Sequence, residues 1–157
     1  MSEFTWLPFF EELLHKICTE YTPKSLYKVW YKFFPNKYNN LDKMDPLSFV
    51  GKITSHGDAK LLKYCNDLKK IFNLESSVPE DFVGIPRMDR RNPMFLYEYW
   101  KNKDLSELDS IMTNLWDFSR DLSNGNISAE AYNKISKFSL VGFAKLSQIM
   151  FLFKPNV

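Results

Sequence analysis

"TPKSLYKVWYKFFP", Thr22 to Pro35, holds the pattern that decides the fold. Threonine followed directly by proline supplies a side-chain cap and a preset φ for a first helical residue. Leu26, Val29, Trp30 and Phe33 then recur three and four residues apart, the spacing of one helix face, until Pro35 ends the run. The stretch predicts an amphipathic helix over roughly 23–34.

The same signals recur on either side. Pro8 stands at a first helical position, and Phe10, Leu13, Leu14, Ile17 and Cys18 follow at helical spacing, giving a first helix to about Glu20. Asp45-Pro46 opens a short helix through about Thr54, and Leu61, Leu62, Cys65, Leu68, Ile71 and Phe72 mark a longer one near 58–73. Asp104 reads as the N-cap of a helix carrying Leu105, Leu108, Met112, Leu115 and Leu122, which "SNGN" (Ser123 to Asn126) stops. Ser128 caps a further helix with Ala131, Tyr132 and Ile135. Phe143, Leu146, Met150 and Phe153 fit a last helix, although "IMFLF" (Ile149 to Phe153) equally fits a buried strand that would pair with "MFLYEYW" (Met94 to Trp100). The expected class is mainly α: one compact helical domain over 1–157, of five to seven helices, with room for that small strand pair.

Composition bounds the function. With 157 residues, 45% hydrophobic and 17% aromatic, the chain has ample material for one core. Its start, "MSEFTWLPFFEELLHKI", interleaves acids and a proline where a signal peptide would be continuously apolar. "IMFLF" is far short of the roughly 20 residues that cross a bilayer. No membrane association is expected, and a cytoplasmic location is. The two cysteines, Cys18 and Cys65, read as reduced structural thiols. A net charge of +2 is too mild to indicate nucleic acid alone, but its distribution is uneven. Residues 1–73 hold eleven lysines against eight acids, and residues 74–157 hold ten cations against eleven acids.

Catalytic constellations are sparse. His15 and Cys18 have a spacing that puts two metal ligands on one helix face, and His56 and Cys65 would have to complete a site by folding; no CxxC, HxxxH or third orienting group accompanies them. "GKIT" (Gly51 to Thr54) has Ile53 where a phosphate-binding loop needs Ser or Thr, and Pro46 where it needs glycine. Glu11, Glu12 and Asp109 read as solvated helix charges. No cofactor, no metal and no enzymatic activity of the isolated chain are expected.

The strongest binding pattern lies in the opening stretch. A turn of about 100° per residue sets Lys24, Lys28 and Tyr31 opposite the apolar stripe, with Lys32 and Tyr27 on the flanks. Lysines meet phosphates and exposed rings stack on bases, so this face suits DNA, or else it is a solvated face whose tyrosines cover neighbouring helices. Lys60, Lys63, Lys69 and Lys70 add charge on the 58–73 helix, partly offset by Asp58 and Asp67. A second candidate is "PEDFVGIPRMDRRNP", Pro79 to Pro93, which holds Arg87, Arg90 and Arg91, three of the four arginines. Phe82, Val83 and Ile85 are expected to anchor this loop, with Gly84 and the prolines fixing its turn. The arginines then face outward as phosphate contacts or inward to Glu80, Asp81 and Asp89.

Four segments, "FTWLPFFEELLHKI", "LDKMDPLSFVGKIT", "VPEDFVGIP" and "LVGFAKLSQIMFLFKPNV", stand in an order that resembles the N-terminal regions of McrB-like AAA+ proteins of modification-dependent restriction systems. The resemblance implies a DNA-recognition domain, the N-terminal module of a longer protein, working with an AAA+ motor in cis or in trans and a nuclease subunit. It carries no residue-level binding motif. If a modified base is flipped out, Tyr97, Tyr99 and Trp100 are the cage candidates from the sequence itself. The rival expectation is a protein–protein interaction or oligomerisation domain of a defence complex.

Overall fold

The computed structural model describes residues 4–35, 42–87, 105–136 and 142–153. Its elements are α1 (Leu7–Glu20), α2 (Pro23–Phe33), α3 (Pro46–Thr54), α4 (Asp58–Phe72), α5 (Leu105–Asn124), α6 (Ala129–Ser136) and α7 (Gly142–Phe153). The class is mainly α, and no strand occurs among the described residues. The run Ile149 to Phe153 lies inside α7, which removes the strand reading of that segment; Met94 to Trp100, its supposed partner, lies outside the described residues.

Local chemistry places the described helix ends where the sequence predicts them; Asp104, the expected cap of α5, lies outside the described residues. Thr22 is extended and accepts from the Ser25 N–H at 3.1 Å, while Ser25 Oγ accepts from the Thr22 N–H at 2.8 Å, a reciprocal capping box closed by Pro23. Asp45 Oδ2 accepts from the Ser48 N–H at 2.8 Å. Helix α4 ends on Asn73 in the left-handed region, and α5 on Gly125 at φ +75° with Asn126 N–H bonded back to the Asp121 carbonyl. Ser128 Oγ caps α6 through the Ala131 N–H at 3.0 Å.

Helix α3 is the axis of the packing. All nine of its residues are buried, including Ser48, Lys52 and Thr54. Helices α1, α4 and α5 pack against it, α7 packs on α1 and α5, and α6 bridges α5 and α7. Rings of α2 reach it through Trp30 and Phe33, whose centroids lie 6.4 and 6.2 Å from that of Phe49. The chain leading into α3 is strapped on both sides: the Met44 N–H donates to the Pro23 carbonyl at 3.0 Å, and Trp116 Nε1–H donates to the Met44 carbonyl at 3.0 Å.

A helix without a solvent face must satisfy its own ends. At the C-terminus Thr54 Oγ1 donates to the Val50 carbonyl at 3.0 Å, Ser55 Oγ donates to the Lys52 carbonyl at 2.6 Å, and His56 Nδ1–H donates to the same carbonyl at 3.0 Å. At the N-terminus Asp45 works alone, fully buried, with Oδ1 unpartnered among the described residues. Burial pushes its pKa up to about 6, with the bonds from Ser48 working the other way. Among the described residues no helix is long and apolar enough to cross a membrane.

The Asp45 carboxyl is protonated more readily in the folded chain than in the unfolded one, so its contribution favours folding below about pH 4 and is lost as pH rises through about 6. Asp45→Asn keeps a capping oxygen and removes the titration. Relative to the wild type, the variant should gain on the order of 3 kcal/mol between pH 4 and pH 7, read from urea denaturation at each pH. A difference that does not change with pH refutes this account of the cap.

Candidate nucleic-acid interface

The side of α2 that buries Leu26, Val29 and Trp30 leaves its opposite side in water. Lys24, Lys28, Tyr31 and Lys32 are exposed, Tyr31 at 48% of its full surface, and Tyr27 is half-buried. Residues four apart form ridges along a helix, so Lys24, Lys28 and Lys32 make one row and Tyr27 and Tyr31 the adjacent one. The two rings lie 6.3 Å apart with planes inclined at 51°. Burial raises the pKa of the Tyr27 phenol, helped by Tyr31 and by the Asp42 carboxylate. Lys24, Lys28 and Lys32 make the lysine side cationic.

An aromatic joint connects this face to α4. Phe33 and Phe34 meet Tyr64 edge to face at 5.5 and 5.8 Å, and Lys60 Nζ stands 6.0 Å from the same ring. Lys60, Lys63 and Lys70 are exposed on α4. Lys69 is not available in the same way, because its ammonium donates to the carbonyls of Leu74 and Ser76 at 3.1 and 2.6 Å.

The 79–87 segment is tied down at several points. Phe82 and Ile85 are buried as expected, but Val83 is 73% exposed and does not anchor the loop. The reason is the turn: the Ile85 N–H closes onto the Phe82 carbonyl at 3.1 Å with Gly84 third at φ +76°, which turns the second residue's side chain outward. The Val83 carbonyl instead accepts from Trp6 Nε1–H at 2.9 Å. A Cβ on Gly84 would lie 2.6 Å from the Phe4 ring, so close approach as well as backbone sign demands glycine here. The Asp81 carboxylate accepts from the Val83 N–H at 3.0 Å.

Arg87 turns inward, although not to the acids of its own loop. Its guanidinium donates to the His56 carbonyl and pairs with Asp58, the first residue of α4, and it lies 6.0 Å from the Phe82 ring. It therefore clips the loop to the α3–α4 corner. Arg90, Arg91, Tyr97, Tyr99 and Trp100 lie outside the described residues.

The residues weighed for chemistry are dispersed over the fold. His15 is exposed and Cys18 half-buried on α1, His56 follows α3, and Cys65 is buried in α4. No group of three metal-ligating side chains converges among the described residues. Burial pushes both thiols up to about 12, so neither is a thiolate near neutral pH. A cleft of about 260 Å³ between α5 and α6 is lined by Asp117, Asp121, Glu130 and Lys134 among others, with no histidine or cysteine. Sequence reading missed Glu12, whose carboxylate accepts from the N–H groups of Glu75 and Ser76 at 2.8 Å each. Burial raises its pKa, and these bonds more than offset that, leaving it lowered.

The chain belongs to the family described as a domain of unknown function (DUF8425), whose model matches residues 6–157. No curated protein and no solved structure matches it.

Arg87→Ala should lower stability by about 1 kcal/mol in urea denaturation, mostly through the lost bond to the His56 carbonyl. In a double-mutant cycle with Asp58→Asn the pairwise term should stay under about 0.5 kcal/mol, since Asp58 is 73% exposed and the pair is screened. An Arg87→Ala variant as stable as the parent rules out the clip.

Proposed function

We propose that this chain is a DNA-binding specificity module of a McrB-like AAA+ restriction or anti-phage defence system, not catalytic by itself. A motor in cis or in trans and a nuclease subunit would act on the DNA it holds. One observation carries the reading. Lys24, Lys28 and Lys32 stand in a row on an exposed helix face, beside Tyr27 and Tyr31, and no ion pair engages them among the described residues. Three unopposed cations with rings alongside are suited to a polyanion that also offers π-faces.

The resemblance of the four sequence segments to McrB-like N-terminal regions supplies the biological setting. Arg87 is left out of the proposed contact set, because its guanidinium is engaged by the His56 carbonyl and Asp58. Arg90 and Arg91 stay in it from sequence alone, together with Tyr97, Tyr99 and Trp100 as the base cage.

The test is titration of the 157-residue chain against fluorescein-labelled DNA, in duplex and single-stranded arms, methylated and unmethylated, across a salt series. Affinity should fall with salt, with a slope of about 0.7–0.9 per phosphate contacted, and the Lys24→Glu/Lys28→Glu/Lys32→Glu variant should lose it. Circular dichroism of the variant checks that it folds. If the charge reversals leave binding unchanged, or if no arm shows salt-dependent binding, the DNA reading is wrong. The protein-interaction role then takes its place.

A further inference from the structure

Resting on the DNA reading above, and going beyond it, we infer that the α2 face holds a single strand, its phosphates along Lys24–Lys28–Lys32 and its bases on the Tyr27–Tyr31 rings. The two ridges of α2 set the geometry. Each step of four residues along a helix advances about 6 Å, so the three lysines stand at intervals within reach of consecutive phosphates on one extended strand. The tyrosine ridge runs parallel and adjacent. Each ring neighbours the lysine three residues before it, Tyr27 by Lys24 and Tyr31 by Lys28.

A single strand has this same division. Its charge lies along one edge, and its bases project from the other with their faces open to stacking. In a duplex those faces are covered by neighbouring base pairs, so a half-exposed ring such as Tyr31 would find nothing to stack on. A helix could alternatively read base edges from the major groove. That readout uses Arg, Lys, Asn or Gln; "PKSLYKVWYKF" offers only its lysines for it, and these would read base edges without any use of the two rings. The lysine row supplies the cationic track across this face.

The experiment uses the whole chain, fluorescence anisotropy, and three probes of equal length: a mixed-sequence single strand, a blunt duplex, and a single strand with abasic sites at its centre. The intact single strand should bind at least tenfold more tightly than the other two. Tyr31→Ala should weaken single-strand binding roughly 5- to 150-fold, the range of one lost stacking contact, and leave duplex binding unmoved. Tyr31→Phe, which keeps the ring, should bind as the parent does. If duplex and single strand bind alike and Tyr31→Ala changes neither, the single-strand inference falls while the DNA reading stands. A Tyr31→Phe loss as large as the alanine loss also overturns it, since the hydroxyl and not the ring would then be the contact. Failure of every probe to bind removes the DNA reading itself, and the inference with it.

Discussion

Burial of an entire helix is the constraint on which the rest of this structure depends. Nine consecutive residues of α3 are removed from water, and each end of a helix leaves backbone groups that must find partners there. Bulk solvent cannot supply them. The chain supplies them from its own short polar side chains: Asp45 at the start, and Thr54, Ser55 and His56 at the finish. Even Lys52 is tolerated inside, its ammonium 5.7 Å from the centre of the Phe34 ring. The residues that look like decoration on "DPLSFVGKITSH" are thus the conditions under which its apolar members can be central.

The same constraint explains the loop that follows. The last carbonyl of the corner after α3, that of His56, takes its donor from Arg87, more than thirty residues later in the chain. The loop bearing Arg87 is in turn pinned to the first turn of the protein by Trp6 and Thr5. An arginine that resembles a nucleic-acid contact by type is therefore a structural clip by position. Charge in a sequence becomes available to a partner only after the fold has taken what it needs, and Lys69, bonded to the carbonyls beyond α4, repeats the lesson.

Much of this was legible in the sequence, and the line between legible and hidden follows range. Caps at Thr22, Asp45 and Ser128 act within three residues, so the pairs Thr22-Pro23 and Asp45-Pro46 announced α2 and α3 directly. The orientation of α2 was equally readable, because a helix with Leu26, Val29, Trp30 and Phe33 on one side has little freedom in what it turns outward. Total burial of α3 was not readable, since Ser48, Lys52 and Thr54 give it the look of an amphipathic helix and only its neighbours decide otherwise. Arg87 with Asp58, and Glu12 with the backbone at Glu75 and Ser76, join residues that no local pattern connects. Val83 was misread because apolar type suggested an anchor where turn geometry sends the side chain out.

A protein with a net charge of only +2 can still present a cationic face. Elsewhere in the described structure four cations are matched, Lys16 with Glu20, Lys43 with Asp109, Arg87 with Asp58 and Arg120 with Asp117, while Lys60, Lys63 and Lys70 on α4 stand without an ion pair among the described residues. Each such pair adds little to stability when exposed, on the order of 0–1 kcal/mol, but each cancels its own field. On α2 no acid follows Glu20 until Asp42, so the outward lysines have no counter-charge within their own helix. That one-sided row of charge beside two rings, more than the number of lysines, is why we propose α2 as the surface that would meet a polyanion.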